Sequence, residues 1–329
     1  MQTESKTDPH RHAPLWLVVT AFAIVYVIWG STYLGIRVAV ESIPPFLMAG
    51  SRHLVAGALL FAFARCRGAS APTLVQWRDA AIAGALMLVV GNGGVTWAEQ
   101  TIPSGVAALM VALTPVWMVL FDWLRPGGVR PRLRVGVGLV IGFAGVGLLA
   151  HKQIHGAGAA YGWGVAALMA ASICWAWGSV FNRTARKPPS PFLGVSLQML
   201  TGGGALLALA GLRGEMNQFQ FGNVTTPSLI AWLFLTLLGS LVAYTAYVWL
   251  LHHSTPARVA TYAYVNPLIA VILGSTIGRE TFTASHIASG ALIILAVIVV
   301  LRGGATKPET RTRIEPAPPV KVGPVIRRT

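Results

Sequence analysis

Few side chains in this 329-residue chain could do chemistry in an apolar setting, so their types and positions stand out. Arg52, followed by His53, and Glu99 are ionisable residues carried in long apolar runs. A charge inside a membrane span is costly, which makes such a residue a functional hypothesis by default. Arg52, about two turns into its run, and Glu99, at the end of its own, fall at similar depth from the outer face, so an Arg52–Glu99 pair lining the outer half of a cavity is the expected arrangement. An interfacial pair, or two side chains snorkelling to the surface, is the plain structural alternative. Coupling to protons needs an acid whose surroundings alternate between wet and dry. Glu99 is the carboxylate placed to carry a proton or to meet a cationic solute. Glu41, Asp79, Asp122, Glu215 and Glu280 fall at helix ends or in connections.

Uncharged polar residues form the second group. Asn92 sits between glycines in mid-run, and Asn266 directly precedes Pro267. Pro267 removes a backbone donor and frees a carbonyl one turn back, which neighbours or cavity water must satisfy. Pro115, after Thr114, does the same in an earlier run, so both prolines are expected to mark bends beside a cavity. Ser31, Thr32, Ser179, Gln198, Tyr244 and Tyr262 offer hydrogen bonds to a solute, or equally between helices. Trp29 and Trp177 head two copies of Trp-Gly-Ser and are expected at the same cavity, whereas Trp16, Trp77 and Trp232 suit an interfacial belt. Gly91-Asn92-Gly93-Gly94 is no phosphate loop, having no preceding strand and no lysine at the right spacing. His252 and His253 read as solvated loop residues rather than a metal site. Cys66 and Cys174 have neither zinc-ligand spacing nor the makings of a disulfide framework. No catalytic constellation and no cofactor is implied.

The elements that position these residues follow from composition. The chain is 54% hydrophobic and 11% charged, with a mean hydropathy of +0.64. Soluble domains carry about 25% charged residues, so an ordinary soluble enzyme is excluded. After fourteen polar residues, an apolar run from Leu15 to Ala39 is too long for a cleaved signal and reads as a retained span. Further runs cover about 46–64, 79–98, 104–124, 133–150, 161–182, 191–212, 228–251, 257–278 and 284–301. The expectation is an all-α membrane protein of ten transmembrane helices. Prolines at 44–45, 103, 126, 188–189 and 256 punctuate the connections. From Arg302 the chain is basic and proline-rich, which reads as a disordered tail.

The net charge of +15 would suggest nucleic acid for a soluble protein. In a membrane protein it follows the bias of basic residues toward cytoplasmic loops. With both termini cytoplasmic, that side receives Lys6 and Arg11; Arg65, Arg67 and Arg78; Arg125, Arg130, Arg132 and Arg134; Arg183, Arg186 and Lys187; Arg258; and seven residues of the C-terminal tail. The opposite side receives Arg37, Lys152, Arg213 and Arg279, a division of 20 to 4. Nucleic acid is set aside as a partner.

Two pieces recur about 150 residues apart. Trp29-Gly30-Ser31 returns as Trp177-Gly178-Ser179, and Ile43-Pro44-Pro45-Phe46-Leu47 has a counterpart in Pro189-Ser190-Pro191-Phe192-Leu193. Leu113-Thr114-Pro115-Val116 parallels Val265-Asn266-Pro267-Leu268. Residues 15–150 and 161–301 thus divide into halves of five spans, flanked by tails 1–14 and 302–329. An odd number of spans inverts the second half, and inverted repeats can enclose a cavity that opens alternately to either side.

The motifs carry a family likeness. Ile28-Trp29-Gly30-Ser31-Thr32-Tyr33, Glu41-Ser42-Ile43-Pro44-Pro45 and Met48-Ala49-Gly50-Ser51-Arg52 resemble the drug/metabolite transporter superfamily, in its ten-helix EamA-type branch. Val90-Gly91-Asn92-Gly93, Trp97-Ala98-Glu99-Gln100, Ile102-Pro103-Ser104-Gly105 and Tyr262-Ala263-Tyr264-Val265-Asn266-Pro267 are most similar to the YedA-like subgroup. The likeness covers roughly residues 15–301. It implies an inner-membrane secondary transporter working by alternating access, commonly an exporter of amino acids, metabolites or toxic compounds. The partners it implies are a small-molecule solute, membrane lipid, and a proton or counter-solute, with homodimerisation left open. It also raises Arg52, because the family's second helix usually has an arginine there. A channel remains the alternative. A membrane enzyme acting on lipid-linked substrates ranks lower, because the spans nearly lack Asp and Glu.

Overall fold

The computed structural model describes residues 14–124, 133–254, 256–259 and 261–303, and every regular element among them is helical. Both expected tails fall almost wholly outside these residues, as do Arg125, Arg130 and Arg132. The helices are α1 (Leu15–Ala39), α2 (Pro45–Cys66), α3 (Leu74–Ala98), α4 (Ser104–Val111), α5 (Thr114–Leu124), α6 (Leu133–Thr184), α7 (Pro191–Leu212), α8 (Thr226–His253), α9 (Pro256–Val259), α10 (Tyr262–Thr276) and α11 (Ala284–Gly303). Seven described stretches are long and apolar enough to cross a bilayer: α1, α2, α3, Ser104–Phe121, Ala160–Thr184, α7 and α8. Gly136–Gly145, Val265–Thr276 and Ala284–Val299 are shorter apolar helices.

Local sequence sets the helix starts. Pro45 and Pro191 occupy first-turn positions, where the missing N–H is no loss. Thr73 and Gln76 close a reciprocal capping box at the start of α3, which therefore begins five residues earlier than its apolar run. Ser190 and Thr225 cap α7 and α8 through their hydroxyls. His252 and His253 belong to the end of α8 rather than to a loop. Their Nδ1 atoms donate to the carbonyls of Val248 and Trp249 one turn back (2.7 and 2.9 Å), as second donors to carbonyls already in the helix ladder. Lys187 donates to His252 Nε2 at 2.5 Å. Burial, and next to it Arg183, push the Lys187 ammonium down to about 8.

Three departures from the expected spans matter. The runs at 133–150 and 161–182 lie within one continuous helix, α6. Yet Trp117 packs its ring against Phe143 (5.6 Å between centroids) and donates from Nε1 to Ser172 Oγ at 3.1 Å. Twenty-nine residues of straight helix would separate those partners by about 44 Å, so α6 doubles back between them. Second, the fourth run breaks at Ala112-Leu113, between α4 and α5, and Pro115 falls in the first turn of the new helix. The helix instead runs through Pro267, and the ninth run is interrupted earlier, between α9 and α10. Third, α3 is π-helical over Ala85–Asn92 and α8 over Leu235–Tyr244. Such wide turns free backbone groups and re-aim side chains, and they recur at functional sites.

Helix ends gather at two faces. At the Ala39 end of α1, Arg37 donates to the carbonyls of Glu99 (2.5 Å) and Gln100 (2.8 Å), and Ser228 Oγ donates to Val38 O (2.8 Å). Two carboxylates fasten helix starts there. Glu215 Oε2 accepts from the backbone N–H groups of Phe46 (3.0 Å) and Leu47 (2.9 Å), and Glu280 accepts from those of Ser104 (2.8 Å) and Gly105 (3.3 Å). Carboxylates suit helix N-termini because their charge meets unpaired N–H groups and the positive end of the dipole. At the other face Asp79 Oδ2 accepts from Arg186 N at 2.8 Å. Glu215→Ala strands the α2 donors and is expected to cost about 2 kcal/mol. Thermal unfolding of the detergent-solubilised protein would register this as a lower Tm, and Glu215→Gln, which keeps an acceptor, should lose less.

Candidate functional site

A cavity lies between these faces, walled by α1, α2, α3, α4, α6, α8 and α10. Toward the Ala39 side its lining is polar: Thr32 and Tyr33 of α1, Arg52 and His53 of α2, Asn92 of α3 and Ser240 of α8, while Asn266 of α10 lies lower, level with the aromatic residues. The π-helical stretches contribute Leu88, Gly91, Asn92, Gly239, Ser240 and Tyr244, so the wide turns sit at the cavity wall. Arg52 is 3% exposed and donates from Nη2 to Asn92 Oδ1 at 2.5 Å, while its Nε has no partner. His53 turns Nδ1 to the carbonyl of Ala49 at 2.7 Å. With the Asn266 amide nitrogen facing two carbonyls, it donates to Tyr262 O (3.3 Å) and Tyr26 O (3.1 Å), linking α10 to α1.

Toward the Leu15 side the cavity ends on an aromatic floor. Trp29 lies edge-on to Trp175 and Tyr262, at 5.5 and 5.7 Å, and tilted over Tyr247 at 4.7 Å. Trp175 also meets Tyr244 at 6.3 Å. Edge-to-face pairs are worth about 0.5–1.5 kcal/mol beyond their buried area, so the floor is a cohesive unit. Behind it, Tyr244 donates to Gln198 Oε1 (2.7 Å), Gln198 Nε2 donates to Asn182 Oδ1 (3.1 Å), and Ser179 Oγ meets the Tyr247 hydroxyl at 2.8 Å.

The structure therefore brings Trp29, Thr32, Arg52, Asn92, Tyr244, Tyr262 and Asn266 together around one space. Ser179 and Gln198 stand one hydrogen bond behind its wall. Ser31 turns back on its own helix, donating to Val27 O and Ile28 O (3.0 and 2.8 Å). Pro115 and Pro267 do not line the cavity. Trp232 donates its indole N–H to Ser51 Oγ at 3.0 Å and joins α8 to α2.

Two expectations need correction. Trp177 is 54% exposed and packs against Phe121 on the outside of the bundle. Trp175 takes the expected cavity position, because residues two apart on a helix point about 200° apart. The signal was present: Ala171, Trp175, Ser179 and Asn182 share one helix face, which Trp177 does not. The Arg52–Glu99 pair also does not form. Arg52 is held by Asn92, two turns before Glu99, while both Glu99 oxygens are buried without a partner. Tyr33, Trp175, Ser240 and Tyr247 were not singled out from sequence, since ordinary aromatic and hydroxyl residues in apolar runs carry no local mark.

Residues 16–150 and 162–302 match the model of the EamA-like transporter family. The chain belongs to that family. The inner membrane transporter YedA of Escherichia coli K12 is 39% identical over 310 residues, 93% of this chain and 94% of its own. The transporter YvbV of Bacillus subtilis 168 is 27% identical over 278 residues, 84% of this chain and 89% of that one. A solved crystal structure, 21% identical, covers 87% of this chain and 96% of that one at a TM-score of 0.60, which shows a shared fold. For this EamA-like chain the two neighbouring tryptophans make a paired experiment. Trp175→Leu removes the floor contacts and is expected to cost about 2 kcal/mol of stability, with uptake strongly reduced. Trp177→Leu should change stability by less than about 0.5 kcal/mol and leave uptake intact. Thermal unfolding and proteoliposome uptake of both variants check this.

Proposed function

We propose that this EamA-like protein is a secondary carrier of the inner membrane that exports small organic solutes by alternating access. The observation that carries the reading is the cavity, built at mid-depth by helices from both family-matched segments, polar on one side and closed by aromatic rings on the other. In this reading ten spans form two inverted five-helix halves, residues 15–150 and 161–301, with both termini cytoplasmic. Support comes from the π-helical stretches of α3 and α8, about 150 residues apart, and from the reversal of α6 between the halves. The 20-to-4 division of basic residues supports the orientation. The inner-membrane location and the transport role follow those named for YedA.

The Leu15 side is then cytoplasmic, and the aromatic floor is the cytoplasmic barrier that parts when the cavity changes sides. Cavity polar residues contact the solute, and Glu99 carries the coupling proton. A carrier binds its solute on one side at a time, so preloaded unlabelled solute should drive transient accumulation of labelled solute. Counterflow in proteoliposomes, run over amino acids, carboxylates and amphiphilic drugs, tests this. Saturable, counterflow-stimulated uptake is expected. Non-saturable flux without counterflow would identify a channel and overturn the proposal.

A further inference from the structure

We infer that the cavity selects small aromatic or amphipathic carboxylates that carry one negative charge and no amine. This deepens the carrier reading and rests on it. Arg52 is the fixed charge of the lining, and among the described residues no carboxylate lines the cavity. Its guanidinium is buried, one nitrogen is held by Asn92, and Nε has no acceptor. Nε and Nη2 form the edge through which arginine grips a carboxylate with parallel hydrogen bonds, so an incoming carboxylate would take Nε and share Nη2 with Asn92. A buried donor without a partner costs free energy until something accepts from it.

The same lining opposes an amine. An ammonium group entering the cavity would stand near Arg52 with no acidic side chain to receive it, and an unpaired charge in a dry site is costly. Glu99 does not answer this need, because its buried oxygens lie outside the lining. The rest of the solute meets the floor of Trp29, Trp175, Tyr244 and Tyr262, whose ring faces and edges suit an aryl or alkyl body. One cation, no anion and an aromatic wall together describe a receptor for a hydrophobic monocarboxylate.

Four compounds with one skeleton test the inference: 3-phenylpropionate, phenylalanine, 3-phenylpropanol and 3-phenylpropylamine. Equilibrium dialysis against the full chain in lipid nanodiscs should show saturable binding of 3-phenylpropionate, about tenfold or more tighter than phenylalanine or the alcohol. The amine should not bind measurably. Arg52→Gln should bring the acid down to the level of the alcohol. If that variant does not purify as a monodisperse protein, Arg52→Lys carries the test, weakening the acid selectively because a lysine lacks the fork. Equal or tighter binding of phenylalanine, preference for the amine, no saturable binding of 3-phenylpropionate, or an acid preference untouched by Arg52→Gln would each overturn the inference. Binding is read without transport, so the two readings fail separately. Anion selectivity without counterflow would remove the carrier, and counterflow without anion selectivity would remove the inference.

Discussion

Leucine at Gly203 is expected to destabilise the protein by about 3 kcal/mol, at the upper end of overpacking costs, while leucine at Gly204 is expected to be close to neutral. The contrast comes from three consecutive glycines on α7. A Cβ on Gly202 would stand 2.9 Å from Leu88 Cβ and 3.1 Å from Gly84 O of α3. On Gly203 it would stand 2.7 Å from Leu54 N, 3.0 Å from Gly50 O and 3.2 Å from His53 C of α2. On Gly204 it would meet nothing within 4 Å. Successive residues turn by about 100°, so the run serves two neighbours and then the outside. At Gly203 the obstruction is backbone, which cannot rotate away as a side chain can. The crossing is also next to Arg52 and His53, so forcing it apart displaces the cavity's charged wall. Small residues are how membrane helices approach closely, since dispersion and hydrogen bonds rather than water exclusion hold them together. Monodispersity on size exclusion and Tm in detergent would measure the effect. An unshifted Tm for Gly203→Leu would mean the α2–α7 crossing is looser than its geometry.

The glycine run also marks what was legible in the sequence. Three glycines in an apolar stretch announce a close helix approach, but only the packing says that two of the three are used. Most of the apolar runs were legible as helices because hydropathy and proline punctuation both report them. The cavity residues Trp29, Thr32, Arg52, Asn92, Tyr244, Tyr262 and Asn266 were found by asking which polar or bulky groups are dear in lipid. Rotational register is where the reading failed. Matching Trp-Gly-Ser to Trp-Gly-Ser chose Trp177, because a motif match fixes position along the chain and ignores which way a side chain faces. Arg52 was matched to Glu99 by charge, whereas the π-helical turns of α3 present Asn92 to it. Nothing in Ala85–Asn92 or Leu235–Tyr244 announces a π-helix, since the widening depends on how neighbouring helices compete for the same backbone groups.

Glu99→Gln is expected to raise thermal stability and, at the same time, to abolish acceleration of transport by a pH gradient. Glu99 is fully buried beside the start of the α3–α4 connection, and neither carboxylate oxygen has a hydrogen-bond partner. Arg37 spends its guanidinium on the backbone carbonyls of Glu99 and Gln100 instead. Arg52 is held by Asn92, and Glu280 serves the α4 N-terminus. A carboxyl buried there must either ionise in low dielectric or take up a proton on folding, and either costs stability at neutral pH, so proteins retain one only where it does something. A glutamine of the same shape needs no proton on burial and is expected to gain about 2 kcal/mol, visible as a higher Tm in detergent at neutral pH. If the carboxylate is the coupling group, that gain comes with a loss. Counterflow of solute should persist in the variant, because exchange needs no net proton movement, while uptake driven by an imposed pH gradient should fall to the level seen without one. Undiminished pH-driven transport would remove Glu99 from the coupling step. A lower Tm would show that the Glu99 carboxyl makes a stabilising contact.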